Sequence, residues 1–431
     1  MRLARKKLTR FRAPHDVLAL LSVRARALKV GSAAGLCGEW FGSQAVLAPA
    51  IRAVPVEDPY ALLEAPPVVA GEAGAVGGGW FGYLSYDLTD PSGRSAGLPR
   101  AVWGWADHVL RLDEQDRWWF EALVPDGAPD PSAEEFDELL GREVTRSGWT
   151  STTLTRPLPH HDAIKACVHA IADGELFQAN ICTRFTGPFT GSAVDLFTEG
   201  VRTLRPRRAA FLSGDWGAVV SLSPELFLAR HGDHVRSTPI KGTRPRRGPE
   251  DDPLAQRLRE SAKDVAENVM ITDLVRNDLG RVCAVGTVRV PDLLTVRPAP
   301  GVWHLESTVE GTLAPGRTDA DLLRATFPPG SVTGAPKIRA LDLIAELEPA
   351  ARGVYTGAVG LVSPVAGLEL NVAIRTLEIG DGQVALGVGG GITAGSDPEA
   401  EWEECLHKAA PLEALLAAGT KQRRSHGGTC A

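Results

Sequence analysis

The chain has 431 residues, 44% of them hydrophobic, and a formal net charge of −7. That length can bury a large core in one to three domains, and the acidic balance argues against a general nucleic-acid or membrane-surface binder. Glu64, Pro66 and Glu72 interrupt the most apolar stretch, so nothing approaches the roughly 20 residues of a membrane span.

The basic start, MRLARKKLTRFRAPHD, lacks the apolar segment of a secretory signal. Short strands and turns are expected around Trp80–Tyr83 and Trp103–Trp105, which sit among glycines and prolines. Residues 126–159 mix Pro, Asp, Gly, Ser and Thr around one helical stretch near Ala133–Val144, and mark the seam between an N-terminal region (1–150) and a main domain (151–418). Ile164, Val168 and Ile171 then recur at helical spacing, closed by Gly174. Strands follow near 209–212, 218–222, 226–229 and 234–238. One long helix is expected over 252–275 and another over 335–347. Two β-rich pieces (354–361 and 370–379) lead to a glycine run at 387–391 and a last helix from Pro398 to about Leu416. Residues 419–431 read as a disordered tail. Long strands with segregated helices predict an α+β fold.

Six cysteines are scattered without a CxxC pair, which indicates neither a disulfide framework nor a zinc site and suits a reduced cytoplasm. Only nine of the 46 basic residues are lysine. A lysine in unusual surroundings therefore marks a place where an amine able to lose its proton is wanted.

Three segments carry candidate chemistry. Gly232-Asp233 is a hairpin tip that folds Glu225 back towards residues 239–241. A loop centred on Asp233 pairs Glu225 with Lys241; one centred half a residue earlier does not. The pair reads either as a cross-strand salt bridge or as a general acid beside a nucleophilic amine, with Arg244 and Arg246 helping to keep the amine neutral. Next, Glu260, Asp264 and Glu267 fall on one helical face, which is either a solvated face or a source of a Mg²⁺-binding carboxylate. Last, Ser396 with Glu399 resembles a capping box, and Glu401, Glu404 and Lys408 line one stripe of the helix beyond it. The glycines before it lack the spacing of a dinucleotide fingerprint, and let a small anion approach the backbone closely. The stretch Phe327–Lys337 reads either as a turn before a helix or as an anion-holding loop.

Taken in order, these segments are similar to the chorismate-utilising enzymes, within them the aminodeoxychorismate synthase component I branch, which is related to anthranilate synthase component I. The resemblance covers about residues 160–416, through FQANICTRF, SLSPELF, PIKGTRPR, AENVMITDLVRNDLGRV, HLEST, FPPGSVTGAPK, TGAVG, NVAIRTL, GGGITAGSDPEAEWEE and HKA. The N-terminal region matches loosely through GEWFG and GGWFGYLSYDL. It implies two facing antiparallel β-sheets with outer helices and a cleft between the halves. Lys241 stands where anthranilate synthases carry Ala, which prefers the aminodeoxychorismate reaction. By resemblance, Lys241 attacks chorismate at C2 while Glu225 protonates the departing 4-hydroxyl, with His304 also in the active site. Gln178, Gly242, Thr243, Tyr355, Arg375, Gly389, Gly390, Gly391 and Lys408 match substrate-holding positions, and Glu267 and Glu404 match Mg²⁺ ligands. Gln178 stands where isochorismate and salicylate synthases place a lysine, which argues against those activities. Arg207-Arg208-Ala209 replaces the Pro and aromatic residue that line a tryptophan pocket in relatives.

No cysteine lies in the glycine-flanked elbow of a glutaminase, so nitrogen is expected from free ammonia or a separate glutamine amidotransferase subunit. The competing readings are an anthranilate synthase component I and a catalytically silent chorismate-binding regulatory subunit.

Overall fold

The computed structural model describes residues 1–426, with side chains described through Gly419; residues 427–431, the end of the expected tail, lie outside the described residues. Strands dominate the described chain and assemble into two sheets, one of twelve strands and one of ten, all printed pairings antiparallel. The larger sheet runs from an N-terminal edge (Arg2–Lys7, Trp118–Val124, His108–Asp113) through Ser32–Trp40 and Arg208–Gly214 to Gln383–Ile392, Gln178–Gly191 and Gly334–Ala335. The smaller runs from Ile240–Arg246 and Gly301–Thr312 through Leu226–His231, Gly367–Val372 and Ala358–Ser363 to Gly79–Leu84 and Ala101–Ala106. Both sheets therefore mix strands from before and after the 126–159 segment.

Between the sheets lies an apolar layer to which both contribute, including Leu36, Val46 and Val219 from one and Phe81, Tyr83 and Leu361 from the other. This is the facing-sheet architecture expected from the motifs, with alternate residues of each strand turned inwards. Helices Pro14–Leu28, Ala193–Leu204 and Pro398–His426 cover the outside of the larger sheet, and Ala262–Gly280 and Asp319–Thr326 that of the smaller. No helix among the described residues is long and apolar enough to cross a membrane.

Three local departures from the sequence reading shape the cleft. The single helix expected over 252–275 is two, Asp252–Glu260 and Ala262–Gly280. Ser261 breaks it with extended backbone, and its hydroxyl caps the second helix by accepting from Asp264 N. Glu260 and Asp264 thus belong to different helices, and the expected stripe with Glu267 does not exist. The β-rich piece 370–379 is also two strands, Gly367–Val372 in the smaller sheet and Thr376–Gly380 in the larger. The chain changes sheets at Ala373–Arg375, where Arg375 has a φ of 49°. The last helix begins at Pro398, but its cap is Asp397, whose carboxylate accepts from Ala400 N at 3.0 Å. Ser396 instead donates to Glu401 at 2.7 Å, so the expected Ser396–Glu399 capping box is absent.

Candidate active site

The Gly232-Asp233 hairpin forms as expected, joining Leu226–His231 to His234–Thr238. A register shift between Leu226 and Ala229 sets Leu226 opposite Thr238, so Glu225 faces residues 239–240 and not Lys241. Ile240 N reaches the Glu225 carboxylate at 3.4 Å. Beyond Pro239 the chain leaves the hairpin and pairs with Gly301–Thr312. Lys241 therefore meets Glu225 by this crossing of strands and not as a cross-strand neighbour.

Lys241 is 8% exposed and makes no hydrogen bond or ion pair among the described residues. Its amine lies against the opposite sheet: a β-carbon built on Gly391 would sit 3.1 Å from Lys241 Nζ and 2.2 Å from Gln178 Nε2. The bare α-carbon of glycine leaves both side-chain ends that room. Gly242 follows with a φ of +92°, a turn of the backbone that packs it against Leu258 and Asp264. Arg244 and Arg246, expected to act on Lys241, have partners of their own. Arg244 pairs with Asp264 at 2.7 Å, and Arg246 lies over the Trp303 ring. The charges that Lys241 faces are the carboxylates of Glu225, Glu267 and Glu404.

Glu225 is 3% exposed, and burial pushes its carboxyl up to about 7 against the lowering pull of Ser331's hydrogen bond and Lys241's charge. A carboxyl in that range is protonated often enough near neutrality to act as a general acid. His304, also buried, is pulled down to about 3 by desolvation, with Arg375 and Arg207 adding to it, so its ring is neutral. Its Nδ1 lies 3.2 Å from Thr243 Oγ1, while its Nε2 is buried without a partner. Gln178 Oε1 is likewise buried and unpartnered. Unpaired buried polar atoms are costly, and a ligand atom would meet the need of each. Half-buried Arg375 adds a third group without a partner. Burial lowers its guanidinium pKa, and its side chain has no carboxylate or hydrogen-bond partner among the described residues.

The glycine run is a strand, and its faces divide the site. Gly387 and Gly391 face Tyr355 and the Gln178–Lys241 pair, whereas Gly390 faces Glu401 and Lys408. Tyr355 is buried, its hydroxyl 3.9 Å from Cys182 Sγ and its pKa far above the ordinary phenol value through burial. Lys408 donates to Gly389 O and to Glu404, both at 2.8 Å. Beside that lysine the Glu404 carboxyl lies below its ordinary range, while burial holds Glu267 above it. Glu404 and Glu267 both feel the charges of Lys241 and Lys263, so the two carboxylates share one pair of cations.

No cluster of three or more His, Cys, Asp or Glu is arranged to hold a metal among the described residues. Two carboxylates from two helices fit the thinner requirement of Mg²⁺, which keeps waters and takes oxygens from a substrate. The donor set suits that ion and no softer one.

The Phe327–Lys337 stretch resolves in favour of a turn. Lys337 is spent on Asp278 (2.5 Å), Thr326 O (3.0 Å) and Pro328 O (2.9 Å). Ser331 in this turn bonds Glu225, a contact that sequence reasoning missed although the loop itself stood out. Arg207 is held by Glu39 and Glu306, and Arg208 by Glu369, so both guanidiniums are spent in ion pairs.

A family model described as chorismate binding enzyme matches residues 48–414. The aminodeoxychorismate synthase component 1 of Klebsiella aerogenes is 45% identical over 247 residues, 57% of this chain and 54% of that protein. The same component from Salmonella typhimurium is 36% identical over 355 residues, covering 77% of this chain and 75% of its own. The match thus spans about half the length of the Klebsiella protein. In structure, anthranilate synthase component I from Streptococcus pneumoniae aligns with a TM-score of 0.70 at 26% identity, over 83% of this chain and 86% of the other.

Proposed function

The chain belongs to the chorismate-binding enzyme family, and from that premise we propose that it is the chorismate-aminating component of an aminodeoxychorismate synthase. The observation that carries this reading is Lys241, a buried amine without a hydrogen-bond partner, which acts on an acid with a pKa of about 7 and shares the space over Gly391 with Gln178. A lysine kept only for folding would have been paired.

Arg375, with Gly242 and Thr243 beside it, would hold the carboxylates of chorismate. Glu267 and Glu404 would hold Mg²⁺, which when bound neutralises a substrate carboxylate. In its neutral, deprotonated form the Lys241 amine forms a bond to C2 of the ring as the bond from C4 to its hydroxyl breaks, and Glu225 gives that hydroxyl its proton so that it leaves as water. Ammonia then bonds to C4, the C2–Lys241 bond breaks, and the Glu225 carboxylate takes up a proton from the incoming nitrogen. The product is 4-amino-4-deoxychorismate. Neutral His304, held through Nδ1 by Thr243, presents Nε2 to the substrate.

The nitrogen would come from free ammonia or from a separate glutamine amidotransferase, in keeping with relatives named as component 1. All five cysteines with described side chains are buried and free, and none suits a glutaminase nucleophile. A cytoplasmic enzyme of p-aminobenzoate formation, feeding folate or a specialised metabolite, follows from this reading. The structural likeness to an anthranilate synthase favours a second reading, formation of anthranilate.

One incubation separates them. The chain is given chorismate, Mg²⁺ and an ammonium salt, and the products are separated and identified. Aminodeoxychorismate is expected. Anthranilate with pyruvate would install the second reading, and untouched chorismate would leave only a binding subunit.

A further inference from the structure

We infer that Lys263 is a resident counter-cation of the cleft mouth: its ammonium ties the two halves of the fold together through Glu401 and competes with a divalent cation for the same negative field. This rests on the reading of Glu267 and Glu404 as a cation-binding pair.

Lys263 lies in the first turn of Ala262–Gly280, a helix packed on the smaller sheet, and Glu401 in the first turn of Pro398–His426, which packs on the Gln383–Ile392 strand of the larger. The two side chains meet across the cleft at 3.0 Å. Glu401 is buried and its Oε1 also accepts from Ser396 Oγ at 2.7 Å, so the carboxylate is fixed from its own side of the cleft. The lysine, with 47% of its side chain exposed, is the movable end. Glu267 is one turn along from Lys263, and Glu404 one turn along from Glu401, so the bridge and the proposed cation ligands are neighbouring rungs on the same two helices. Glu401, Glu267 and Glu404 all act on the Lys263 ammonium. Nothing in the amination chemistry uses Lys263 or Glu401.

The two ends of this bridge act on a nearby cation with opposite sign. A divalent ion at Glu267 and Glu404 is repelled by the ammonium and attracted by the carboxylate. Removing the lysine therefore tightens cation binding, and neutralising the glutamate weakens it. A bridge that merely braces the fold predicts two destabilised variants with unchanged cation affinity.

The test is calorimetric titration of the full chain with MgCl₂, without substrate, at low salt. Lys263→Met is expected to bind Mg²⁺ about 3- to 10-fold more tightly than wild type, and Glu401→Gln more weakly. Both are expected to melt below wild type in EDTA, with the double variant no lower than the worse single one. An unchanged or weakened Mg²⁺ affinity in Lys263→Met, with wild type binding normally, overturns the role of Lys263 alone. A wild type that takes up no Mg²⁺ overturns the cation pair itself and this inference with it.

Discussion

Two corners of the molecule each hold a lysine and an arginine, one buried and one half-buried, and they treat them oppositely. Around the Gly330–Val332 turn, Lys337 has three acceptors, and Arg352 is bonded to Glu348, to the carbonyls of Val332 and Asn180 and to Thr356, with its guanidinium over the Tyr86 ring. In the cleft, Lys241 and Arg375 have no such partner among the described residues. Burying a charge is expensive unless it is paired, so the first pair are structural clamps; on the proposed function the second are receptors kept open at a cost in stability. Each corner holds one buried and one half-buried member, so the partner list and not burial separates a brace from a site.

The sharpest break of this comparison removes each lysine in turn. Lys241→Ala should lose at least about 10³-fold in amination rate while melting within about 1 kcal/mol of wild type, because no bond is lost. Lys337→Met should be destabilised by about 3–5 kcal/mol, since Asp278 is left buried and unpaired. Steady-state rates and denaturant unfolding on both variants check the pair. A stable Lys337→Met or an active Lys241→Ala would dissolve the distinction. The arginine receptor gives a smaller effect. Arg375→Ala should raise the KM for chorismate about 100-fold, the worth of a lost charge-assisted carboxylate contact, with no loss of melting temperature. A variant that melts lower with an unchanged KM would make Arg375 a brace after all.

Much of this was legible in the sequence, and what was not has a common cause. The hairpin tip at Gly232-Asp233 could be read because a two-residue turn is a local event. Its register could not, because the shift between Leu226 and Ala229 is settled by the neighbouring strand Gly367–Val372. Ser261 looks like any polar residue inside a charged helix, and becomes a break only when Ala262–Gly280 turns to pack on the smaller sheet. Arg375 reads as mid-strand because the strands on either side of it are both regular; that they belong to different sheets is a tertiary fact. The facing sheets followed from the ordered motifs and not from periodicity. Partnerlessness is the least legible property of all. That Arg244 and Arg246 are spent on Asp264 and Trp303 could not be seen from their closeness to Lys241 in the chain, and the Lys263–Glu401 bridge joins residues 138 positions apart.

The smallest expected effect sharpens the comparison most, because it measures the cost of keeping the cleft open. Glu225 is an acid whose folded pKa, about 7, lies above its ordinary 4.5. The folded state thus favours the protonated form. Its contribution to stability is fully present below the ordinary pKa and is lost as pH rises through the window from 4.5 to 7. Glutamine in its place keeps the shape and an acceptor for Ile240 N, and does not titrate. The stability of Glu225→Gln relative to wild type should therefore grow by about 2 kcal/mol between pH 5 and pH 7. His304 titrates in the opposite sense, its stabilising effect being lost as pH falls from 6.5 towards 3, but it does so in both proteins and drops out of the difference. Denaturant unfolding of the two proteins across that range reads the number directly. A difference that does not change with pH would mean that Glu225 ionises like an exposed carboxylate, and would remove the general acid from the proposed chemistry as well.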